Sequence, residues 1–306
     1  MSKERIIAFL QAVRVNQWVK NFVVFTGIIF SGKLLEPELF MRSFYAFVIF
    51  CLLSSTSYVL NDIIDYPYDR KHPVKRLRPI ASGKISIPDA TMIVFVLTLI
   101  SLAASLFFSI TFFLLSLAFI LLHFFYSLYL KKHPVIDIFT ISFSFMIRTF
   151  GGEVVTGYHI PIWLLLTIFF ISLFMATVKR HAELVVQGRE TRLALISYKE
   201  HLLDFLTTSF STATIISYSF YTYFERLPTA HTVFTDFFSK IFPSFEARKL
   251  MMITIPLVVY GIARYAQLLY EQEQGERPEK IITTDKPLVA TIVLWATIMI
   301  LFIYVL

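Results

Sequence analysis

The stretch Asn61 to Lys84 reads NDIIDYPYDRKHPVKRLRPIASGK. Oxygen-bearing side chains come first: Asn61, Asp62, Asp65 and Asp69. Bases follow: Arg70, Lys71, Lys75, Arg76, Arg78 and Lys84. At about 100° of rotation per helical residue, the first four fall within an arc of about 100° and aim at one point. Pro67 is expected to interrupt the helix before Asp69, leaving the last acid on a kinked or unwound turn. Clustered oxygens suit a hard divalent cation, and Mg²⁺ is typically held by one or two carboxylates together with substrate phosphates. The adjacent bases suit phosphate oxygens that the metal leaves uncovered. A solvated polar loop has the same composition. What separates the two readings is that these acids continue straight out of the apolar run 44–60, where ionisable groups are costly and functional.

Around this stretch the chain is strongly apolar. Of its 306 residues, 57% are hydrophobic and 16% charged, and 33 are Phe. The mean hydropathy is +0.69. No soluble domain of this length needs so much apolar surface. Long apolar runs, not short alternating ones, exclude a barrel and predict an all-α polytopic membrane bundle. Runs of spanning length fall at about 19–35, 40–60, 88–109, 111–130, 135–152, 161–178, 205–225, 249–270 and 287–306, so about nine transmembrane helices are expected. The tract 88–130 is too long for one span and divides near Ser109–Thr111. Lys and Arg crowd one set of loops, which places the N-terminus on the cytoplasmic side of the cell membrane. Every charge-rich motif then lies on that face, around one polar site open to the cytoplasm.

The N-terminal residues lack a signal-peptide pattern and read as an amphipathic lead-in anchored by Trp18. Cys51 is the single cysteine, which excludes an intrachain disulfide and a thiolate metal site. The net charge of +7 is confined to short loops, so it reflects topology and phosphate ligands and not nucleic acid. With no long linker, 1–306 reads as one domain, and a homo-oligomer is compatible with it. The Phe-rich segment 227–248 reads either as a helix lying on the lipid surface or as a loop with buried aromatics.

Three further constellations carry charge at span ends. Tyr126 precedes Lys131 and Lys132, and Asp137 opens the next apolar segment. Arg148 lies about three helical turns beyond Asp137, too far for a direct pair, so each needs another partner. Lys179, Arg180 and Glu183 end another run, with Glu183 on a helix face shared with both bases. Arg264 sits inside an apolar helix, whereas Asp285 is placed to cap the last helix, which begins Lys286-Pro287. His123 reads as a hydrogen-bonded core residue. No glycine-rich nucleotide loop or Cys/His cluster is present.

Asn61-Asp62-x-x-Asp65-x-x-x-Asp69, then Arg78-Pro79-Ile80-Ala81-Ser82-Gly83, then Tyr126-Ser127-x-x-Leu130-Lys131 resembles the UbiA-type intramembrane prenyltransferase superfamily. The resemblance implies a helical bundle around a central cavity, with Mg²⁺ between a pyrophosphate and Asn61, Asp62, Asp65 and Asp69. Aromatic prenyltransferases of that superfamily carry a second Asp-rich motif. Here that place has no Asp and reads Lys179-Arg180-x-x-Glu183-Leu184. This departure, together with Gln17-Trp18-Val19-Lys20-Asn21 and Pro278-Glu279-x-Ile281, is similar to the decaprenyl-phosphate phosphoribosyltransferase branch. That branch moves a 5-phosphoribosyl group from phosphoribosyl pyrophosphate to a polyprenyl phosphate, a step toward cell-wall arabinan.

The resemblance implies the following roles. Asp62, Asp65 and Asp69 act through the metal on the leaving pyrophosphate, and Lys75, Arg76 and Arg78 meet phosphate oxygens. Lys179 and Arg180 take the donor's 5-phosphate, and Glu183 the ribose hydroxyls. Lys20, Lys131 or Arg148 receives the lipid phosphate, while Asp137 and Arg264 line the polar site. Tyr126 or a carboxylate stabilises carbocation character at the anomeric carbon. The rival activity joins a polyprenyl pyrophosphate to an aromatic acceptor.

Overall fold

The structure, a computed structural model, describes residues 3–187, 200–225, 248–271 and 284–304. Among these, all regular structure is helical. Helix α1 covers Lys3–Ala12, and a 3-10 helix over Val15–Phe25 runs into the short α2, Thr26–Phe30. Helices α3 (Pro37–Asp69), α4 (Ile87–Leu106), α5 (Ile110–Leu128), α6 (Ile136–Thr156) and α7 (Ile162–Gln187) follow, then helices over Glu200–Phe224, Ile255–Glu271 and Lys286–Tyr304. The segment 227–247, the bases Arg189, Arg192, Lys199, Arg277 and Lys280, and the Pro278-Glu279-x-Ile281 motif lie outside the described residues.

Among the described residues, six helices are long and apolar enough to cross a membrane: α3, α4, α5, α6, Ile162–Leu184 and Lys286–Tyr304. Three expected spans are not among them. The run at 19–35 is 3-10 backbone to Phe25, then only the five-residue α2 and turns. Its valines are poor helix formers, and its polar side chains bond sideways to α3. Glu200–Phe224 is rich in Ser and Thr, and Met252–Leu268 is shorter. Elsewhere local chemistry sets the ends as expected. Ser86 caps α4 by accepting the Asp89 N–H at 3.2 Å. Ser109 caps α5 through Phe112 N–H at 3.0 Å, dividing the 88–130 tract where the sequence indicates.

One expectation is corrected at the centre of interest. Helix α3 continues through Pro67 to Asp69. Proline forfeits one intrahelical bond, and only two residues of helix follow it, so little is lost. The Arg70 N–H still reaches Tyr66 O at 3.2 Å.

The chain falls into two compact units. The first holds Met1–Ile29, Lys33–Lys131 and Ser144–His159; the second holds Phe30–Gly32, Lys132–Phe143 and Ile160–Leu306. In the first, Phe50 of α3 meets Phe112 and Phe119 of α5 edge-on, at 5.7 and 5.6 Å between centroids. Gly152 of α6 lets the backbone pass close to Val24, whose carbonyl a Cβ would strike. The outward sides of α4 and α5 expose Phe95, Leu99, Phe107 and Leu114, a surface that suits lipid and not water. In the second unit, Phe174, Val178 and Ala182 of α7 pack with Ile262, Tyr265 and Leu268. Tyr218 bonds Thr254 at 2.6 Å and accepts from Trp295 at 2.7 Å.

Candidate active site

Because α3 stays helical to Asp69, its four oxygen-bearing residues form two stripes. Asn61 and Asp65, four apart, are joined by Asn61 Nδ2 donating to Asp65 Oδ2 at 3.0 Å. Lys131 Nζ closes this stripe, donating to Asp65 Oδ1 at 2.6 Å and Asn61 Oδ1 at 3.0 Å. Asp62 and Asp69, seven apart and both buried, are bridged by Arg78 Nη1 at 3.1 and 2.6 Å. Arg14 adds a third base, its Nη2 2.6 Å from Asp62 Oδ1. Three carboxylates thus face three cations, and the cluster is close to neutral.

Each base is placed by a specific piece of backbone. Arg78 is held by the turn that follows it. Ser82 N–H donates to Arg78 O at 2.8 Å, Ile85 N–H donates to Pro79 O at 3.1 Å, and Gly83 adopts φ 79°, which favours glycine. Ile80, buried against Ala8, Ala12 and Ala90, anchors that turn. Arg14 sits at φ 51°, the left-handed region that costs a non-glycine residue energy, and stacks 4.8 Å over Tyr58. The 3-10 helix that follows is tied antiparallel along α3. Trp18 Nε1 donates to Ser55 Oγ at 3.0 Å and Asn21 Nδ2 to Cys51 Sγ at 3.2 Å. Trp18, expected as an interfacial anchor, is therefore also a tie to α3. His72 Nδ1 accepts the N–H groups of Val74 and Lys75 at 3.2 Å. Burial and then nearby Lys75 hold its pKa below the usual value, keeping the nitrogen free to accept.

The donor set fits Mg²⁺ in kind: hard oxygens on one helix face, with bases alongside. Among the described residues, no three His, Cys, Asp or Glu side chains converge as a self-sufficient cage.

A second cluster lies in the second unit. Arg180 Nε donates to Asp137 Oδ2 at 2.6 Å and its Nη1 to Glu183 Oε2 at 2.6 Å. Asp137, predicted to need a partner, has one in Arg180. Among the described residues, Arg148, in the first unit, bonds neutral groups: Asn21 Oδ1 at 2.7 Å, Ser144 O at 3.0 Å and Ser54 Oγ at 3.3 Å. It also lies 4.6 Å from the Phe119 ring and 5.2 Å from that of Phe145. Arg264 pairs with Asp285 at 2.9 Å, and Asp285 Oδ1 also accepts the Leu288 N–H at 2.9 Å, the expected cap. Lys20, Lys75, Tyr126 and Lys179 are half-buried, and Arg76 is exposed. Arg14 is the site residue that sequence reasoning missed. It lies 48 positions from its acid, and only its place in a basic lead-in marked it.

The UbiA prenyltransferase family model matches residues 22–184. A decaprenyl-phosphate phosphoribosyltransferase of Mycolicibacterium smegmatis is 31% identical, with 96% of this chain and 91% of that protein aligned. One from Corynebacterium glutamicum is 30% identical over 97% of this chain and 86% of that protein. The fold is similar to that of a UbiA homolog from Archaeoglobus fulgidus bound to GPP and Mg²⁺. The TM-score is 0.69 at 17% identity, covering 97% of this chain and 99% of that one.

Proposed function

The chain belongs to the UbiA prenyltransferase family, and from that premise we propose that it transfers 5-phosphoribosyl from phosphoribosyl pyrophosphate to a polyprenyl phosphate, releasing pyrophosphate. The observation that carries the reading is the unlike make-up of the two clusters. The first offers three carboxylates beside bases, suited to one pyrophosphate. The second brings Lys179 and Arg180 together with Glu183, where a prenyl-pyrophosphate enzyme of the superfamily would place a second acidic motif. The two phosphoribosyltransferase relatives, similar along nearly the whole chain, support the same choice. The family match crosses both compact units, which supports reading the chain as one catalytic domain. The positive-inside count supports a cytoplasmic membrane setting with the N-terminus and the site on the cytoplasmic face.

Asn61, Asp62, Asp65 and Asp69 would hold Mg²⁺, which when bound supplies positive charge against the leaving pyrophosphate oxygens. Arg14 and Arg78, each on a carboxylate here, would meet the pyrophosphate oxygens. Lys75 and Arg76 add charge along the same loop. Lys179 takes the 5-phosphate and Glu183 the ribose hydroxyls. Lys20, Lys131 or Arg148 receives the lipid phosphate, and Arg264 lines the polar region. An oxygen of that phosphate forms the new bond to the anomeric carbon. The bond from that carbon to pyrophosphate breaks, and its electron pair leaves with the pyrophosphate. The acceptor is already an anion, so no general base is needed, and positioning and electrostatics carry the rate. Tyr126 and an α3 carboxylate stabilise positive character on the ribosyl ring.

The test is the full chain in detergent with labelled phosphoribosyl pyrophosphate, Mg²⁺ and a polyprenyl phosphate, against geranyl pyrophosphate with an aromatic acid. Labelled lipid in the first mixture alone is the expected result; product in the second alone overturns the reading. Lys179→Ala is expected to raise the donor KM about tenfold or more, by loss of a charge-assisted bond. An unchanged KM removes Lys179 from the 5-phosphate.

A further inference from the structure

Arg180 is not placed as its neighbour Lys179 is. Its side chain keeps 2% of its surface, that of Asp137 none, and that of Glu183 18%. The three form a line from buried to accessible, with two carboxylates on one guanidinium. To bind a phosphate, Arg180 would have to give up its bond to Asp137, and both side chains are buried, where breaking an ion pair is costly. Glu183 is the member that reaches the surface, and a carboxylate accepts hydrogen bonds from hydroxyl groups. The backbone beside Asp137 is also constrained. Val135, two residues earlier, adopts φ 69°, an outlier for a β-branched residue.

We propose that Arg180 and Asp137 are positioning residues: Asp137 fixes Arg180, and Arg180 aims the Glu183 carboxylate at the hydroxyl groups of the donor's ribose. This rests on the phosphoribosyl reading and deepens it. The trio becomes the part of the enzyme that tells a ribosyl donor from its deoxy counterpart, while phosphate capture in this helix falls to Lys179. The design is economical in entropy, because a carboxylate held by a fixed guanidinium loses little further freedom when substrate arrives.

The experiment compares kcat/KM for phosphoribosyl pyrophosphate with its 2-deoxy and 3-deoxy forms in the wild type, Glu183→Gln, Arg180→Lys and Asp137→Asn, with melting in detergent recorded for each. The wild type is expected to prefer the full ribose by about tenfold or more over at least one deoxy form, because the analogue leaves the carboxylate unpaired. That preference should fall toward unity in Glu183→Gln. It should fall similarly in Arg180→Lys and Asp137→Asn, and adding either to Glu183→Gln should cost little more. Asp137→Asn keeps the shape, and the side chain it replaces is fully buried, so it stands if Arg180→Lys fails to fold. Two results overturn the inference alone: a preference unchanged in both Arg180→Lys and Asp137→Asn, or a defect in Arg180→Lys that vanishes with a donor lacking its 5-phosphate. Absence of any phosphoribosyl transfer by the wild type overturns the underlying reading instead.

Discussion

The ion pairs at the end of α3 and those joining α6 to α7 use the same residue types under different conditions. On α3, the bases Arg14, Arg78 and Lys131 keep 26, 27 and 11% of their side-chain surface. At the other cluster Arg180 keeps 2%. A partly exposed base can leave its acid for another anion, with water covering the interval. A buried one cannot leave without stranding a charge. The first arrangement is therefore suited to exchange, the second to support. Identical pairs at 2.6 Å carry different meanings because of what surrounds them.

The largest effect should come from removing the acids themselves. Asp62→Asn and Asp65→Asn are each expected to lower kcat/KM for phosphoribosyl transfer by about 10²–10³-fold, the scale for losing one preorganised electrostatic contact. Activity within about tenfold of wild type in either variant would take the α3 cluster out of the chemistry. Next comes the contrast between the bases. Arg180→Gln should lower folding stability by about 3–5 kcal/mol, because the fully buried Asp137 then loses the guanidinium it is paired with. Arg78→Gln should cost less, since Arg14 still neutralises Asp62 and the partly exposed place that Arg78 vacates admits water to Asp69, yet it should weaken donor binding more. Unfolding in detergent and donor titration on the same two proteins measure both halves. Equal stability losses would erase the distinction between exchange and support.

How far this was legible in the sequence depends on chain separation. Asn61, Asp62 and Asp65 share one helix, so helical periodicity placed them together, whereas the helical course to Asp69 was hidden by Pro67. The capping role of Asp285 was legible for the same reason, its target Leu288 being three residues away. Arg14 with Asp62 and Asp137 with Arg180 are 48 and 43 positions apart. Nothing local encodes such pairs; they follow only from how helices pack. Arg148 shows the converse. It needs a partner, and Asn21, Ser54 and Ser144 together with two phenyl faces surround it. Neutral oxygens that satisfy a guanidinium are too common in a sequence to be read as its partners. The 3-10 course of Val15–Phe25 was equally hidden, because it depends on polar ties to α3 and not on the hydropathy of the run.

A smaller effect probes the frame that carries the first cluster. Gly152→Ala puts a methyl group against the Val24 carbonyl, which is backbone and cannot turn aside. Overpacking of this kind costs about 1–3 kcal/mol, and the 3-10 helix bearing Lys20 and Asn21 must shift to relieve it. Lower melting with weakened donor binding is expected, and a variant that matches the wild type in both would show that the close approach is slack.

The smallest effect concerns the pair that belongs to neither cluster. Asp285 accepts from Arg264 Nη2 at 2.9 Å and Nε at 3.3 Å, and from the Leu288 N–H at 2.9 Å. The Arg264 bond first, then the helix N–H, hold its pKa below the ordinary carboxylate value. A pKa depressed in the folded state adds stability above the unfolded value of about 4. That contribution fades as pH falls through the folded value. Asp285→Asn keeps a capping oxygen and removes only the charge. Its melting point should therefore sit slightly below wild type at pH 7, and the gap should close in strong acid. Added salt should also narrow the gap at pH 7, because the pair is open to solvent. A gap that persists at low pH would mean that the aspartate contributes through its shape, and the ionic account of this link would fail while both clusters stood.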